Sequence, residues 1–188
     1  MQISRTIRYM KLFRDILFGS TWGGRLMRIL TLLTICTYPF GYHYRLVYID
    51  GISMEPTYDD GQWSLEQRSR SLGDDWIPDR FDVITVWSDK DDCKLCKRVI
   101  GLPGETIEVK EGIIFIDGMK MNDTFGKGKM IALERIDPST GDVWWIAHDV
   151  VKPMVIKPGH VWVIGDNRED SIFGHFPIKK IRGKVVLY

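Results

Sequence analysis

From Tyr44 onward the apolar residues come in short bursts punctuated by Gly, Pro and Asp, and helical spacing is nearly absent. Those bursts predict strands at Tyr44–Ile49, Phe81–Trp87, Lys97–Ile100, Thr106–Lys110, Ile113–Ile116, Val143–Ala147, Val161–Ile164 and Lys184–Tyr188. Asp117-Gly118, directly after an apolar burst, is a hairpin turn signal. A chain patterned this way buries its apolar faces between or within sheets, so residues 44–188 are expected to form a mainly β domain, barrel-like or sandwich. The polar, weakly patterned stretch Asn122–Asp149 reads as an excursion, at about 120–150, between two better-defined sheet halves. A chain of 188 residues holds one such domain and a short extra segment.

The extra segment is N-terminal. Arg5, Arg8, Lys11, Arg14, Arg25 and Arg28 face a single acid, Asp15, before residue 30. Thr6–Phe18 alternates apolar and basic residues at helical spacing, which suits a helix on an anionic surface; a solvated amphipathic helix has the same pattern. From Ile29 to Tyr44 no Lys, Arg, Asp or Glu occurs. That run is slightly short of the roughly 17–25 residues that span a bilayer, but Arg28 can snorkel at one end, and Tyr38, Phe40, Tyr42 and Tyr44 form an interfacial aromatic cluster at the other. The reading is a cytoplasmic basic segment at 1–25, one transmembrane helix at 26–43 and the β domain on the outer face. No small-x-small site follows the run, which disfavours a cleaved leader, while Pro39 and Gly41 leave a buried helix open.

Positive and negative side chains nearly cancel, so composition gives no support for nucleic-acid binding. Cys36 sits in the apolar run as a small hydrophobe. Cys93 and Cys96 form CKLC, and the four histidines supply no second ligand pair, so no metal site is expected. On the outer side of a membrane a local disulfide across CKLC is plausible; two reduced thiols in a surface turn are the alternative.

Three segments carry chemistry. Asp50-Gly51-Ile52-Ser53-Met54-Glu55-Pro56-Thr57 follows a strand, and a serine between a strand end and a proline-fixed turn can project its hydroxyl from rigid backbone, with amide N–H groups facing a developing oxyanion. A turn serine capping local backbone has the same look. Lys97 opens the apolar burst before Gly101-Leu102-Pro103-Gly104; burial there disfavours its charged form and turns the amine into a proton acceptor, whereas a solvated edge lysine stays charged. Gly165-Asp166-Asn167-Arg168-Glu169-Asp170-Ser171 follows Val161–Ile164, where Asp and Asn also make simple tight turns. No Ser-His-Asp pattern is present, and Lys97 is the economical activator for Ser53.

G-I-S-M-E-P-T, F-D-V-I-T-V-W, K-R-V-I-G-L-P-G-E and G-D-N-R-E-D-S resemble, in order and approximate spacing, the boxes of bacterial type I signal peptidases, including relatives that mature conjugative pilins. The likeness covers Tyr44–Tyr188. It implies Ser53 as nucleophile, Lys97 as general base, Arg98 and Asp166 as a structural ion pair, and Ser171 as the serine that hydrogen-bonds and orients the lysine. Two features depart from the family pattern. Gly51 stands where some members carry an oxyanion-stabilising serine, leaving that task mainly to the Ser53 N–H. The N-S-x-D-S-R-x-x-G run is shortened to D-S-I-F-G, so Ser171 aligns with either of its serines.

The resemblance further implies a membrane-bound serine endopeptidase that removes N-terminal signal (leader) peptides from exported proteins, without a cofactor. Its partners are precursor proteins and the lipid bilayer of the cytoplasmic (inner) membrane, with the catalytic domain on the periplasmic or extracellular face; nothing bears on oligomeric state. An extended substrate adds a strand, with small P1 and P3 side chains in shallow pockets walled by Ile52, Met54 and Phe81–Trp87. A maturation peptidase dedicated to a pilin or secretion-system subunit is the nearest alternative. A silent membrane scaffold that binds leader peptides is a third reading, against which the retention of both Ser53 and Lys97 argues.

Overall fold

A computed structural model describes residues 22–89, 91–130, 133–136, 143–147 and 150–186. The segment expected at 1–25 lies outside the described residues up to residue 21, as do residues 187–188 of the last expected strand. The chain divides into two compact units, up to His43 and from Tyr44.

In the first unit, helix α1 runs over Trp22–His43 with Pro39 inside it. It is about 33 Å long at 1.5 Å per residue. The expected spanning helix at 26–43 is therefore helical, but no helix among the described residues is long and apolar enough to cross a membrane. Its length suffices; its apolarity falls short, because three threonines, Pro39, Gly41 and His43 interrupt the Leu/Ile run. Each threonine hydroxyl donates to the carbonyl four residues back: Thr31 to Met27 at 2.8 Å, Thr34 to Leu30 at 2.8 Å, Thr37 to Leu33 at 2.7 Å.

The second unit is mainly β, and its named strands pair antiparallel. The strands are β1 Tyr44–Tyr48, β2 Trp63–Arg68, β3 Val83–Ser88, β4 Cys93–Gly101, β5 Thr106–Lys110, β6 Ile113–Ile116, β7 Met119–Lys120, β8 Leu133–Ile136, β9 Val143–Ala147, β10 Val151–Val155, β11 His160–Ile164, β12 Phe173–Pro177 and β13 Ile181–Val185. A seven-stranded sheet has the order β1-β2-β13-β3-β4-β11-β12, and a four-stranded sheet the order β10-β5-β6-β7. Among the described residues no pairing joins β1 to β12, so the large sheet is open rather than a closed barrel. The excursion contains the separate hairpin β8-β9.

The Asp117-Gly118 signal is realised as a two-residue turn joining β6 to β7, with φ of 50° and 76°. The strands that sequence reading missed have physical reasons. In β2 the inward residues are Ser64 and Glu66 while Trp63 is exposed, which inverts the apolar alternation. β10 and β12 carry Pro153 and Pro177 and are sheet edges, where a missing N–H is tolerated. Three apolar clusters fill the unit. One joins Ile107, Val109, Ile114 and Ile116 of the small sheet to Ile100 and Trp162 of the large one. A second lies against the Ser53 segment: Val47, Ile49, Met54, Tyr58, Val83 and Val185. The third surrounds Ile84, Val86, Val99 and Val163.

Candidate active site

Just beyond β1, Gly51 takes φ 89° and its N–H donates to Asp60 Oδ1 at 2.7 Å, turning the chain into a single 3-10 turn at Ile52–Met54. The Glu55 N–H donates to Ile52 O at 3.1 Å and the Thr57 N–H to Met54 O at 2.9 Å. Met54 is fully buried in the second cluster. With its neighbour locked into the core, Ser53 presents a half-buried hydroxyl from a turn that cannot swivel.

Lys97 reaches that hydroxyl from the sheet. β4 begins at Cys93, four residues before the expected start, so Lys97 is mid-strand, paired with Ile84 of β3. It is only 4 % exposed, and Nζ lies 2.6 Å from Ser53 Oγ. Among the described residues no carboxylate forms an ion pair with it. Burial pushes the ammonium down from 10.5 to about 8, against the smaller opposing pull of Cys96, Asp170, Asp166 and Cys93. A hydroxyl against an amine that is neutral in a useful fraction of molecules near pH 8 is what nucleophile activation requires.

Arg98, the next residue on β4, is fully buried yet fully compensated. Its Nε donates to Asp166 Oδ1 at 2.7 Å and its Nη2 to Asp166 Oδ2 at 2.5 Å, a bidentate pair with both side chains at 0 % exposure. Arg98 Nη1 also donates to Phe81 O at 2.7 Å. Phe81 is held at φ 72°, a left-handed conformation costly for an aromatic residue. Thr57 Oγ1 donates to Asp166 Oδ2 at 2.5 Å. The Asn167 N–H donates to Ser53 O at 3.1 Å and Asn167 Nδ2 to Ile52 O at 3.3 Å. Gly165 completes the contact, since a Cβ there would stand 2.1 Å from Ser53 O. The Gly165–Arg168 turn thus grips the Ser53 turn through its main chain.

Several expected roles change. Ser171 does not bond Lys97; its hydroxyl accepts the Gly165 N–H at 2.6 Å and donates to Ile172 O at 3.0 Å, so it ties the turn to itself. Of the proposed pocket walls, Met54 offers no surface because it belongs to the core, whereas Ile52 is exposed. Within Phe81–Trp87 the residues Val83 to Val86 are buried core, and β3 is paired on both sides by β13 and β4. Cys93 and Cys96 are free thiols in an extended strand, not a turn. Three residues of strand separate their Cα atoms by about 10 Å, beyond the roughly 7 Å a disulfide bridges. Thr57, Gly165 and Asn167 lay inside the quoted motifs without an assigned role. Arg168 lay there too, but its partner Asp123 is 45 residues away, and Asp123 and Phe125 fell outside every motif.

An antiparallel β framework that sets a serine hydroxyl against a buried amine has the layout of a serine hydrolase of the serine–lysine type. The family described as signal peptidase, peptidase S26, matches residues 22–188, and the chain belongs to it. The chain is 34 % identical over 143 residues to signal peptidase I of Bacillus caldolyticus, covering 73 % of this chain and 74 % of the relative. It is 31 % identical over 145 residues to signal peptidase I V of Bacillus subtilis strain 168, covering 73 % and 80 %. To signal peptidase I of Bacillus licheniformis it is 29 % identical over 126 residues, and the match spans 62 % of that relative's length. The crystal structure of a signal peptidase I from Enterococcus faecalis V583 aligns with a TM-score of 0.41 at 22 % identity, over 59 % of this chain and 98 % of that one.

Proposed function

We propose that this chain is a signal peptidase in which Ser53 attacks the scissile carbonyl of a precursor's leader peptide and Lys97 is the general base. The observation that carries the reading is the 2.6 Å separation of Lys97 Nζ and Ser53 Oγ, with the amine buried and held at about 8. In the neutral state the hydroxyl donates to the amine. As Oγ bonds to the carbonyl carbon, its proton passes to Nζ, and the negative charge collects on the carbonyl oxygen, stabilised by the Ser53 N–H. Collapse breaks the C–N bond, and the ammonium returns its proton to the leaving amine. A water then gives a proton to Nζ, attacks the acyl ester and frees the leader's carboxylate and Ser53. Gly51 has no hydroxyl to offer the oxyanion, and its N–H is already bonded to Asp60. Arg98 and Asp166 are the structural pair behind this site, and the alignment of Ser171 with a lysine-orienting serine is set aside.

Among the described residues, β1 and β12 are the end strands of the large sheet, running into the Ser53 turn and out of the Gly165–Ser171 turn, and an extended substrate could lie alongside either. Ile52 is the exposed apolar side chain next to the nucleophile.

For the membrane we propose a single-pass anchor at α1, N-terminus inside, with the β domain on the outer face. The threonine hydroxyls that lower the helix's apolarity are satisfied by its own carbonyls, which reduces their cost in hydrocarbon. The basic residues Arg5 to Arg28 sit on the side that stays inside. Loss of the full chain from vesicles on alkaline extraction would sink the anchor.

The test of the chemistry is leader cleavage by the full chain in detergent micelles, with the product's new N-terminus read by mass spectrometry. Ser53→Ala and Lys97→Met are each expected to lose cleavage by 10³-fold or more while keeping the wild-type melting temperature or exceeding it. Wild-type turnover in either variant would end the dyad assignment.

A further inference from the structure

The Gly165–Arg168 turn is gripped from a second side, by a segment of the excursion that the reaction itself does not use. After β7, residues 121–130 cross the turn and are fixed at both ends to the β5-β6 hairpin: the Met121 N–H donates to Ile114 O at 2.9 Å and the Met130 N–H to Gly112 O at 3.2 Å. Between these anchors Asp123 Oδ1 accepts the Phe125 and Gly126 N–H groups at 3.2 and 2.9 Å, folding the segment into a tight loop. Asp123 Oδ2 faces the other way and accepts Arg168 Nε at 2.9 Å and Nη2 at 2.5 Å. Arg168 is 2 % exposed, and its Nη1 donates to Gly165 O.

The main chains are laced as well. The Lys127 N–H donates to Asp166 O at 2.8 Å, and the Arg168 N–H to Lys127 O at 3.0 Å. Phe125 sets its ring 3.9 Å from the Arg98 guanidinium and 5.3 Å from the Phe81 ring, roofing the Arg98–Asp166 pair. Contact at Gly126 is so close that a Cβ would stand 2.3 Å from Asp123 Oδ2 and 2.6 Å from Arg168 Nε. On its far side the same turn holds Ser53 by Asn167 and Gly165. Any slack between Asp123 and Arg168 therefore passes through one rigid turn to the nucleophile.

We propose that Asp123, Gly126 and Arg168 form a positioning clasp through which the excursion's first loop fixes the Gly165–Arg168 turn, and with it Ser53, at bonding distance from Lys97. The inference rests on the serine–lysine reading above. Among the described residues they make no hydrogen bond to Ser53 Oγ or Lys97 Nζ, so they act through the turn. A shift of about 1 Å in an attacking group costs on the order of a hundredfold in rate, so a clasp of this kind shows in turnover before it shows in binding.

The experiment is leader cleavage by the full chain in micelles, comparing wild type, Asp123→Asn, Gly126→Ala and Ser53→Ala for kcat, KM, the pH profile of kcat/KM and the melting temperature. Asp123→Asn keeps the shape and removes the charge; Gly126→Ala keeps both charges and crowds them. Both are expected to lower kcat by about ten- to a hundredfold with KM within about twofold. Both should also move the midpoint of kcat/KM to higher pH, as water enters beside Lys97. The groups facing that amine, Cys93 and Cys96 on its own strand and Asp166 and Asp170 on the turn side, are left unsubstituted in both variants. Wild-type kcat and midpoint in the folded variants, with only a lower melting temperature, would reduce the clasp to scaffolding and overturn the proposal. A rise in KM alone would overturn it too, by assigning the loop to substrate binding. Cleavage that survives Ser53→Ala would instead sink the dyad reading on which the clasp rests; cleavage lost there but intact in both clasp variants sinks the clasp alone.

Discussion

The β domain contains two fully buried carboxylates, each bonded by an arginine and a threonine, with different surroundings. Glu66 on β2 is fully buried and accepts from Arg45 Nε of β1 at 2.6 Å and Thr85 Oγ1 of β3 at 2.5 Å. Asp166, equally buried, accepts from Arg98 at 2.7 and 2.5 Å and from Thr57 at 2.5 Å. The first group cross-links strands, with Gly183 of β13 pressed against the Glu66 side chain. The second ties a strand to two turns, one of which carries Ser53. Buried ion pairs alone therefore do not mark a site. What separates the two regions is a neighbouring cation whose burial is not compensated, Lys97, whose amine meets a hydroxyl instead of a carboxylate.

The largest expected difference between them comes from neutralising each carboxylate in place. Asp166→Asn leaves Arg98, at 0 % exposure, as an uncompensated buried charge, a loss of about 3–5 kcal/mol of stability. It also loosens Thr57 and the turn on Ser53, so kcat in the remaining folded protein should fall by about a hundredfold or more. In Glu66→Gln the Arg45 side chain, 32 % exposed, can draw water, and about 1–3 kcal/mol should be lost. Its kcat per folded molecule is expected to stay within about threefold of wild type. Chemical denaturation and single-turnover cleavage on both variants decide the matter: equal losses of kcat would erase the distinction between the two groups.

The site was more legible than the fold around it, and the reason is where the information resides. Ser53, Lys97, Arg98 and Asp166 fall in local motifs whose residue types already imply chemistry, and the structure gathers all four around one turn. Ser171, Met54 and β3 were harder because their roles depend on which way a side chain faces. β2 escaped notice because Glu66 faces inward only with Arg45 and Thr85 as partners, 21 and 19 residues away. Asp123 and Arg168 are 45 residues apart, and no periodicity links them. CKLC has no alternation or apolar run that marks it as strand, and it is strand because it pairs with Val86, Trp87 and Ser88 of β3.

A pH series sharpens the contrast between Lys97 and Arg98. With the Lys97 amine at about 8 instead of 10.5, roughly one molecule in ten carries it neutral at pH 7, against about one in three thousand for a free lysine. Arg98 stays charged throughout. kcat/KM should therefore rise about tenfold per unit below pH 8 and level off above it. The stability sign follows from the same displacement. Between about 8 and 10.5 the unfolded chain binds more protons than the folded one, so the cost of burying Lys97 is fully present below pH 8 and fades as pH rises through that window. A profile flat from about pH 6 to 10 would show that the base is not this lysine.

The smallest expected effect belongs to the cysteines flanking Lys97 on the same strand. Burial is the largest cause raising both thiols, Cys96 to about 12, and so disfavours the thiolate of each. Cys96 packs against the cluster that holds Met54, which makes it a small apolar filler rather than a reactive group. Because extended β4 keeps the two sulfurs from meeting, reductant should leave activity unchanged, and alkylation without prior reduction should find both thiols free once the protein is unfolded. Cys93→Ser should keep kcat within about twofold, while Cys96→Ser buries a hydroxyl and should cost about 1–3 kcal/mol of stability with the pH midpoint unmoved. A disulfide found by mass spectrometry in protein isolated without reductant would contradict the strand geometry. A shifted midpoint in Cys96→Ser would mean that the thiol helps tune the amine beside it, and that Lys97 owes its state to more than burial.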